Sequence, residues 1–192
     1  NYKGDISHYG ESIVGYTPDQ IKEIGIRMSF IPEDRLGLGL APSLSIVDNL
    51  LLKSYNKSKG IFVDRKSARA ESLELIERYN VQTESVDTPV KNLSGGNIQK
   101  ILLGREIGTN PNVIITAYPV RGLDINSSYM IYDILNEEKA KNTAILFIGE
   151  DLDVLLTFCD KIMVLSEGKN MGIVHTKNTT KEEIGLMMTR AL

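Results

Sequence analysis

An α/β fold is what this sequence predicts: a mostly parallel sheet, a short antiparallel β segment ahead of it and a helical subdomain between. Three patterns carry the prediction. From Ser94 onward, strand-sized apolar runs alternate with helical segments through short connections, and strands joined through a helix pair in parallel. Between about residues 36 and 92 the apolar spacing is helical, with no convincing strand beyond Ile61 to Val63. Residues 4–15 alternate polar and apolar side chains around glycines, as a short antiparallel hairpin does.

The elements follow in order. After the hairpin, Thr17 caps a helix with Pro18 at its first position, which runs through Ile21 and Ile24 to Gly25. Met28 to Pro32 reads as a strand stopped by its proline. Residues 34–45 are glycine-rich and loop-like. In them Gly37-Leu38-Gly39 imitates a dinucleotide loop only superficially, because no strong strand feeds it, so a flexible connector is expected. Ser45 opens a helix through Val47, Leu50 and Leu51, closed by a polar turn at Asn56 to Gly60. A longer helix from about Arg65 to Tyr79 sets Ala68, Leu73, Leu75, Ile76 and Tyr79 on its apolar face. A helix over Gly96 to Gly108, a strand at Val113 to Thr116 and a helix over Ser127 to Ala140 come next. A strand at Ala144 to Ile148, a helix over Leu152 to Phe158 and a strand at Lys161 to Leu165 continue the alternation. The tail, Lys181 to Leu192, is a helix with Glu182 and Glu183 in its first turn, where acidic side chains suit the dipole.

Bulk properties narrow the function. A length of 192 residues suffices for one good core and a small subdomain. The net charge of −3 gives no electrostatic reason to expect nucleic acid as a partner. No apolar run is long enough to cross a bilayer. The chain starts at Asn1 with no signal peptide behind it, which suggests an excised fragment or a processed protein. Cys159 is the single cysteine, so no internal disulfide forms, and its apolar setting suits a core thiol better than a nucleophile. His8 and His175 are far apart, and no metal-ligand spacing is present.

The sharpest chemical signal is Leu93-Ser94-Gly95-Gly96-Asn97-Ile98-Gln99-Lys100. A serine and two glycines at a helix start leave amide N–H groups unpaired and facing outward, and without a Cβ a phosphate can approach the backbone. An ordinary helix start capped by Ser94 fits the same residues, and the motif alone leaves both readings open. Downstream come a helix, a strand, Pro119-Val120-Arg121-Gly122-Leu123-Asp124 and another helix.

In this order the motifs resemble an ABC ATP-binding cassette, a partial P-loop NTPase fold. Leu93 to Lys100 resembles the ABC signature, and Arg121 to Asp124 the D-loop after the family's Walker B strand. Phe30-Ile31-Pro32-Glu33-Asp34-Arg35 is similar to the Q-loop of the second cassette in simple-sugar and nucleoside importers. Gly4-Asp5-Ile6 through Gly10, Gly172 to Val174 and Glu183 to Met187 are similar to the same group, so the resemblance spans essentially the whole chain. It implies one cassette with a β segment and Q-loop over 1–35, a helical subdomain over 36–95 and the α/β remainder over 96–192.

Two features depart from the family pattern. No G-x-x-x-x-G-K-[ST] loop occurs; in the family that loop holds the β- and γ-phosphates and precedes the position where this chain begins, so truncation is expected. The magnesium-holding aspartate and catalytic glutamate of the family are Ala117 and Tyr118 here, the switch histidine is Glu150, and the Q-loop glutamine is Glu33. Alanine offers Mg²⁺ no side-chain oxygen, and tyrosine, with a pKa of about 10, is no carboxylate base. Glu150 or Asp151 as a replacement base is weighed against a helix cap ahead of Leu152, and the cap is preferred.

The resemblance implies that Ser94, Gly95 and Gly96 touch the γ-phosphate of ATP held by a partner cassette, with Gln99 and Lys100 further along the helix. It implies Asp124 at the dimer seam and Glu33 facing transmembrane permease subunits. The assembly would use ATP and Mg²⁺, serve a substrate-binding protein and lie on the cytoplasmic face of the plasma membrane; the chain alone would bind neither cofactor tightly and would not hydrolyse ATP. Two other classes compete. A DNA-repair ABC ATPase would need a long coiled coil where the stretch from Glu33 to Ser94 has no sustained heptads. A non-enzymatic module would use the fold only to dimerise. The transported solute is set outside this chain.

Overall fold

The computed structural model describes residues 4–55 and 63–189, which leaves the turn expected at Asn56 to Gly60 and most of the strand expected at Ile61 to Val63 outside the described residues. At its centre is a three-stranded parallel sheet, β3 (Met28–Ile31), β4 (Val113–Ala117) and β5 (Ala144–Ile148), in that spatial order. The register runs Met28 opposite Val113 and Val113 opposite Ala144, so the three strands end along one edge. Each is preceded by a helix or loop crossover, as parallel pairing requires.

The hairpin is β1 (Ser7–His8) with β2 (Glu11–Ser12). Helix α1 (Pro18–Glu23) begins with a capping box in which Thr17 and Gln20 satisfy one another's amides, with Pro18 in its first turn. Between β3 and β4 lie α2 (Ile46–Ser54), α3 (Arg65–Arg78) and α4 (Gly95–Ile107), capped by Ser45, Asp64 and Ser94. After β4 come α5 (Ile125–Ala140) and, beyond β5, α6 (Leu152–Phe158).

Several expectations are corrected. The stretch after Pro32 is not a loose connector: Arg35–Gly39 forms a π-helical turn, with Gly39 N–H donating to the Asp34 carbonyl at 3.2 Å and Leu40 N–H to that of Arg35 at 2.7 Å. A Cβ on Gly37 would stand 2.0 Å from the Asp34 carboxylate that caps the turn, so the glycine leaves that carboxylate its place. On α3 the buried stripe is Ala68, Ser72, Leu75 and Tyr79, and Leu73 faces solvent. Ser72 tolerates burial because its hydroxyl donates to the Ala68 carbonyl at 2.7 Å. Helix α5 starts two residues before Ser127, since Asp124 is its cap.

The strand from Lys161 leaves the alternation. It is β6 (Lys161–Ser166), paired antiparallel with β7 (Lys169–His175), a strand the sequence reading omits. Glu167 and Gly168 both take positive φ, 48° and 75°, the two-residue turn that closes an antiparallel hairpin. Helix α7 (Lys181–Thr189) packs on this hairpin.

Among the described residues a small cluster of Val47, Leu51, Ala68 and Val86 joins through Ile76 to the larger of two cores. The larger packs Ile31 and Ile114 of the sheet against Ile98, Ile101, Leu102 and Leu103 of α4 and Ile131 and Ile134 of α5. The smaller gathers Leu155, Ile162, Val164 and Ile184. Phe147 of β5 touches both. Among the described residues the outer edge of β5 carries no strand, and a groove lined by Leu146, Ile148, Met163 and Val164 separates it from β6.

A buried charge cluster secures α4. Glu106, 1% exposed, accepts from Arg105 at 2.8 Å and from Lys53 at 3.0 Å, and Arg105 also donates to the Gly39 carbonyl at 2.6 Å. Removing one member of such a set typically costs about 3–5 kcal/mol, because the partner is left charged and unpaired.

Candidate functional site

The shared register of β3, β4 and β5 places Glu33, Ala117 with Tyr118, and Glu150 at one end of the sheet. That is the end outside which open α/β sheets place ligands. Glu33 is exposed and ion-paired with Arg121 in the loop after β4. Tyr118 sits in the left-handed region at φ 48°, a conformation costing a non-glycine residue about 1–3 kcal/mol. Its N–H donates to the Ile148 carbonyl at 2.8 Å, which ties the ends of β4 and β5 together, and the Arg121 guanidinium stands 5.7 Å from its ring.

The turn Ser94–Gly96 opens α4 beside this loop. Ser94 Oγ accepts from the Asn97 amide at 3.4 Å and from the Asn97 side chain at 2.9 Å, which leaves its own O–H free to donate. The amides of Gly95 and Gly96 donate to no group among the described residues. Gly96 is tightly placed, since a Cβ on it would come 2.8 Å from Ser127 Oγ, whereas one on Gly95 would lie in ordinary contact, 3.6 Å from the Arg35 guanidinium. Asn97 also accepts from the Gln82 amide at 2.9 Å, and Lys100 donates to the Asn80 carbonyl at 2.9 Å, so both are spent on the loop after α3.

Gln99 points the other way. It is 0% exposed and its Oε1 accepts from Arg35 Nε at 2.8 Å, so its amide is not on the outer face of the turn. Asp124 caps α5, accepting from the Ser127 hydroxyl at 2.6 Å and the Ser127 amide at 2.9 Å. These two bonds, the hydroxyl first, hold its carboxyl below the usual aspartate value. Burial lowers the Arg35 guanidinium from its ordinary value while Glu33 opposes the shift. Asp151 caps α6 through the amides of Asp153 and Val154, and Glu150 lines the groove beside β5 together with Tyr118. Burial pushes the Cys159 thiol up, away from nucleophilic use.

The structure thus brings Glu33, Ser94, Gly95, Gly96, Gln99 and Asp124 to one corner. Sequence reading missed the two arginines that join them, Arg35 and Arg121, because their contacts cross from 64 to 88 residues. The turn fits a phosphate: two free amides, a free hydroxyl proton and a helix N-terminus converge there. The end of β4 does not fit a magnesium ion, since Ala117 supplies no side-chain oxygen. Among the described residues no group of His, Cys, Asp or Glu could hold a metal.

Comparison with known proteins agrees with this geometry. The chain is 34% identical over 188 residues, 96% of its length, to the nucleoside import ATP-binding protein NupA of Lactococcus lactis. It is 35% identical over 189 residues to the guanosine import ATP-binding protein NupO of Bacillus subtilis, and 35% identical over 183 residues to the ribose import ATP-binding protein RbsA of Geobacillus kaustophilus. The chain belongs to the ATP-binding cassettes of ABC transporters. This cassette spans 37%, 36% and 37% of those three relatives, so little more than a third of each is represented in it. Its fold is that of the dimeric bacterial ABC transporter cassette MJ0796, with a TM-score of 0.74 at 19% identity over 92% of this chain and 75% of that one. A nucleotide-free ABC cassette matches with a TM-score of 0.70 at 21% identity, over 98% of this chain and 74% of that one. No protein-family model matches.

Proposed function

We propose that this cassette serves an ABC importer of a sugar or nucleoside by presenting its Ser94–Gly96 turn to ATP held on other polypeptide. The observation that carries the reading is the pairing of an exposed, donor-rich turn with a strand end that has lost its chemistry. Gly95, Gly96 and the Ser94 hydroxyl offer three donors to a terminal phosphate. Ala117, Tyr118 and Glu150 stand where a magnesium ligand, a base and a switch group would be needed for hydrolysis at this cassette's own site. The absence of a carboxylate base alone costs on the order of 10²–10⁴ in rate. In this reading the triphosphate, with its Mg²⁺, is held by the phosphate loop of a partner cassette.

The names of NupA, NupO and RbsA, each an import ATP-binding protein, support the importer and the class of solute. No helix among the described residues is long and apolar enough to cross a membrane, and the partners of this reading are transmembrane permease subunits. The exposed Glu33 turn faces them on the cytoplasmic side of the plasma membrane, and a binding protein delivers the solute. Asp124, fixed as a cap, holds the loop after β4 at the cassette seam. Gln99 acts from inside through Arg35, and Ser94 and the two glycines supply the direct contacts.

Steady-state ATP turnover tests the reading. The purified chain should show none, and hydrolysis by it that Ser94→Ala abolishes would sink the proposal. In the full subunit with its permease, Ser94→Arg should suppress turnover by at least about 10²-fold, whereas Tyr118→Phe should leave it within about twofold. The opposite ranking would exclude an asymmetric pair of sites.

A further inference from the structure

We infer that Arg35 is a positioning residue that locks the turn after β3, the N-terminal half of α4 and the loop after β4 into one rigid unit. One guanidinium makes both cross-links. Its Nε donates to Gln99 Oε1 at 2.8 Å, and one terminal nitrogen donates to the Arg121 carbonyl. The other terminal nitrogen lies 3.6 Å from where a Cβ on Gly95 would stand, so the same fork borders the phosphate-facing turn. The Arg121 side chain returns to Glu33, two residues before Arg35, and covers the Tyr118 ring. The path closes on itself: Glu33 to Arg121, the Arg121 carbonyl to Arg35, and Arg35 to Gln99.

Gln99 shows why the brace matters. It is wholly buried, its Nε2 has no partner, and its Oε1 is satisfied by Arg35. An amide this deep is sustained by the charge-assisted bond it accepts, and loss of that bond would strand both of its ends. A lysine cannot replace the arginine. Its ammonium is a single point at the end of a flexible stem, and it lacks the planar edge that reaches two acceptors 22 residues apart in the chain. The π-helical turn is held from behind as well, because Arg105 donates to the Gly39 carbonyl. Motion of the turn after β3 is therefore carried directly to Gln99 on α4 and to Arg121.

The functional consequence rests on the proposed role of Ser94–Gly96; the brace itself does not. Amide hydrogen exchange on the chain, without nucleotide, reads it directly. Arg35→Lys should speed exchange at Asn97 and Leu123 together, on the order of tenfold, while Val164 and Val174 in the β6–β7 hairpin stay unchanged. Gln99→Met, which keeps the buried volume and removes the acceptor, should reproduce the effect at Asn97. It should also release the Arg35 Nε–H from slow exchange. Unchanged exchange at Asn97 and Leu123 would overturn the brace, and so would equal acceleration in the β6–β7 hairpin, the mark of global destabilisation. In the full transporter, Arg35→Lys should lower kcat roughly tenfold with the KM for ATP within about twofold, because the triphosphate is held elsewhere. If KM rises and kcat holds, the positioning role fails. If Ser94→Arg leaves turnover intact while Arg35→Lys still loosens both loops, the proposed function falls and the brace stands.

Discussion

At Asp124 one carboxylate does the work of a helix cap at the place where a D-loop aspartate is expected, and the two roles are compatible. The carboxyl accepts from the Ser127 hydroxyl and amide, so its negative form is the one the fold favours. Its value in the folded chain lies below the usual aspartate value of about 3.9, so its contribution to stability is complete above that value. It fades as the pH falls through the lowered value, when the protonated group no longer accepts both bonds. An NMR titration of the Asp124 carboxyl should therefore find it below the usual aspartate value, and Ser127→Ala should move it back up. Asp124→Asn should retain most of the cap and Asp124→Ala should fray the first turn of α5, seen as faster amide exchange at Ser127 and Ser128. The sequence showed Asp124 as part of a motif; that it ends the loop and starts the helix follows from the Ser127 contacts.

Helix α4 shows how an element comes to serve a site. Its outer end carries the turn, its middle fills the core through Ile101, Leu102 and Leu103, and its inner end is fixed by Glu106. Gly104 sets the distance to α3. A Cβ there would lie 2.6 Å from a Leu75 methyl and 2.8 Å from the Tyr79 ring. Gly104→Ala should therefore destabilise by about 1–3 kcal/mol despite the better helix propensity of alanine, measured as a lower denaturation midpoint at unchanged m-value. If alanine were neutral or stabilising, the close approach of the two helices would be wrong. The helix itself was legible in advance from Ser94 and the apolar spacing. The demand for glycine at position 104 was not, because nothing local to α4 reveals how near α3 passes.

On the scale of the whole molecule, the two cores divide the chain into units that share little beyond Phe147. The β6–β7 hairpin with α6 and α7 forms the smaller unit, separated from β5 by the groove. Ile184 is its most buried apolar side chain at 1% exposure. Ile184→Ala should cost about 2–5 kcal/mol of local stability, and amide exchange should accelerate over β6 and β7 while α4 and the central sheet keep their protection. Uniform acceleration across both units would show one cooperative core instead. The antiparallel pairing of β6 was within reach of the sequence, since Glu167-Gly168 separates two strand-like runs by two residues. Helix–strand alternation overrode that cue in the sequence reading.

The sequence by itself determined the class of fold, the caps at Thr17, Ser45 and Asp151, the positions of the strands other than β7 and the motif order, because all of these are short-range properties of side-chain type and spacing. Through its resemblance to the family it also implied that Ala117 and Tyr118 stand where the family pattern has acids. Tertiary structure alone decided that Gln99 is buried, that Glu33 meets Arg121, and that Arg35 spans to α4 and the loop after β4. Those contacts join residues from 64 to 88 positions apart. Their geometry is set by the parallel register of three strands and the packing of α4, which no local pattern encodes.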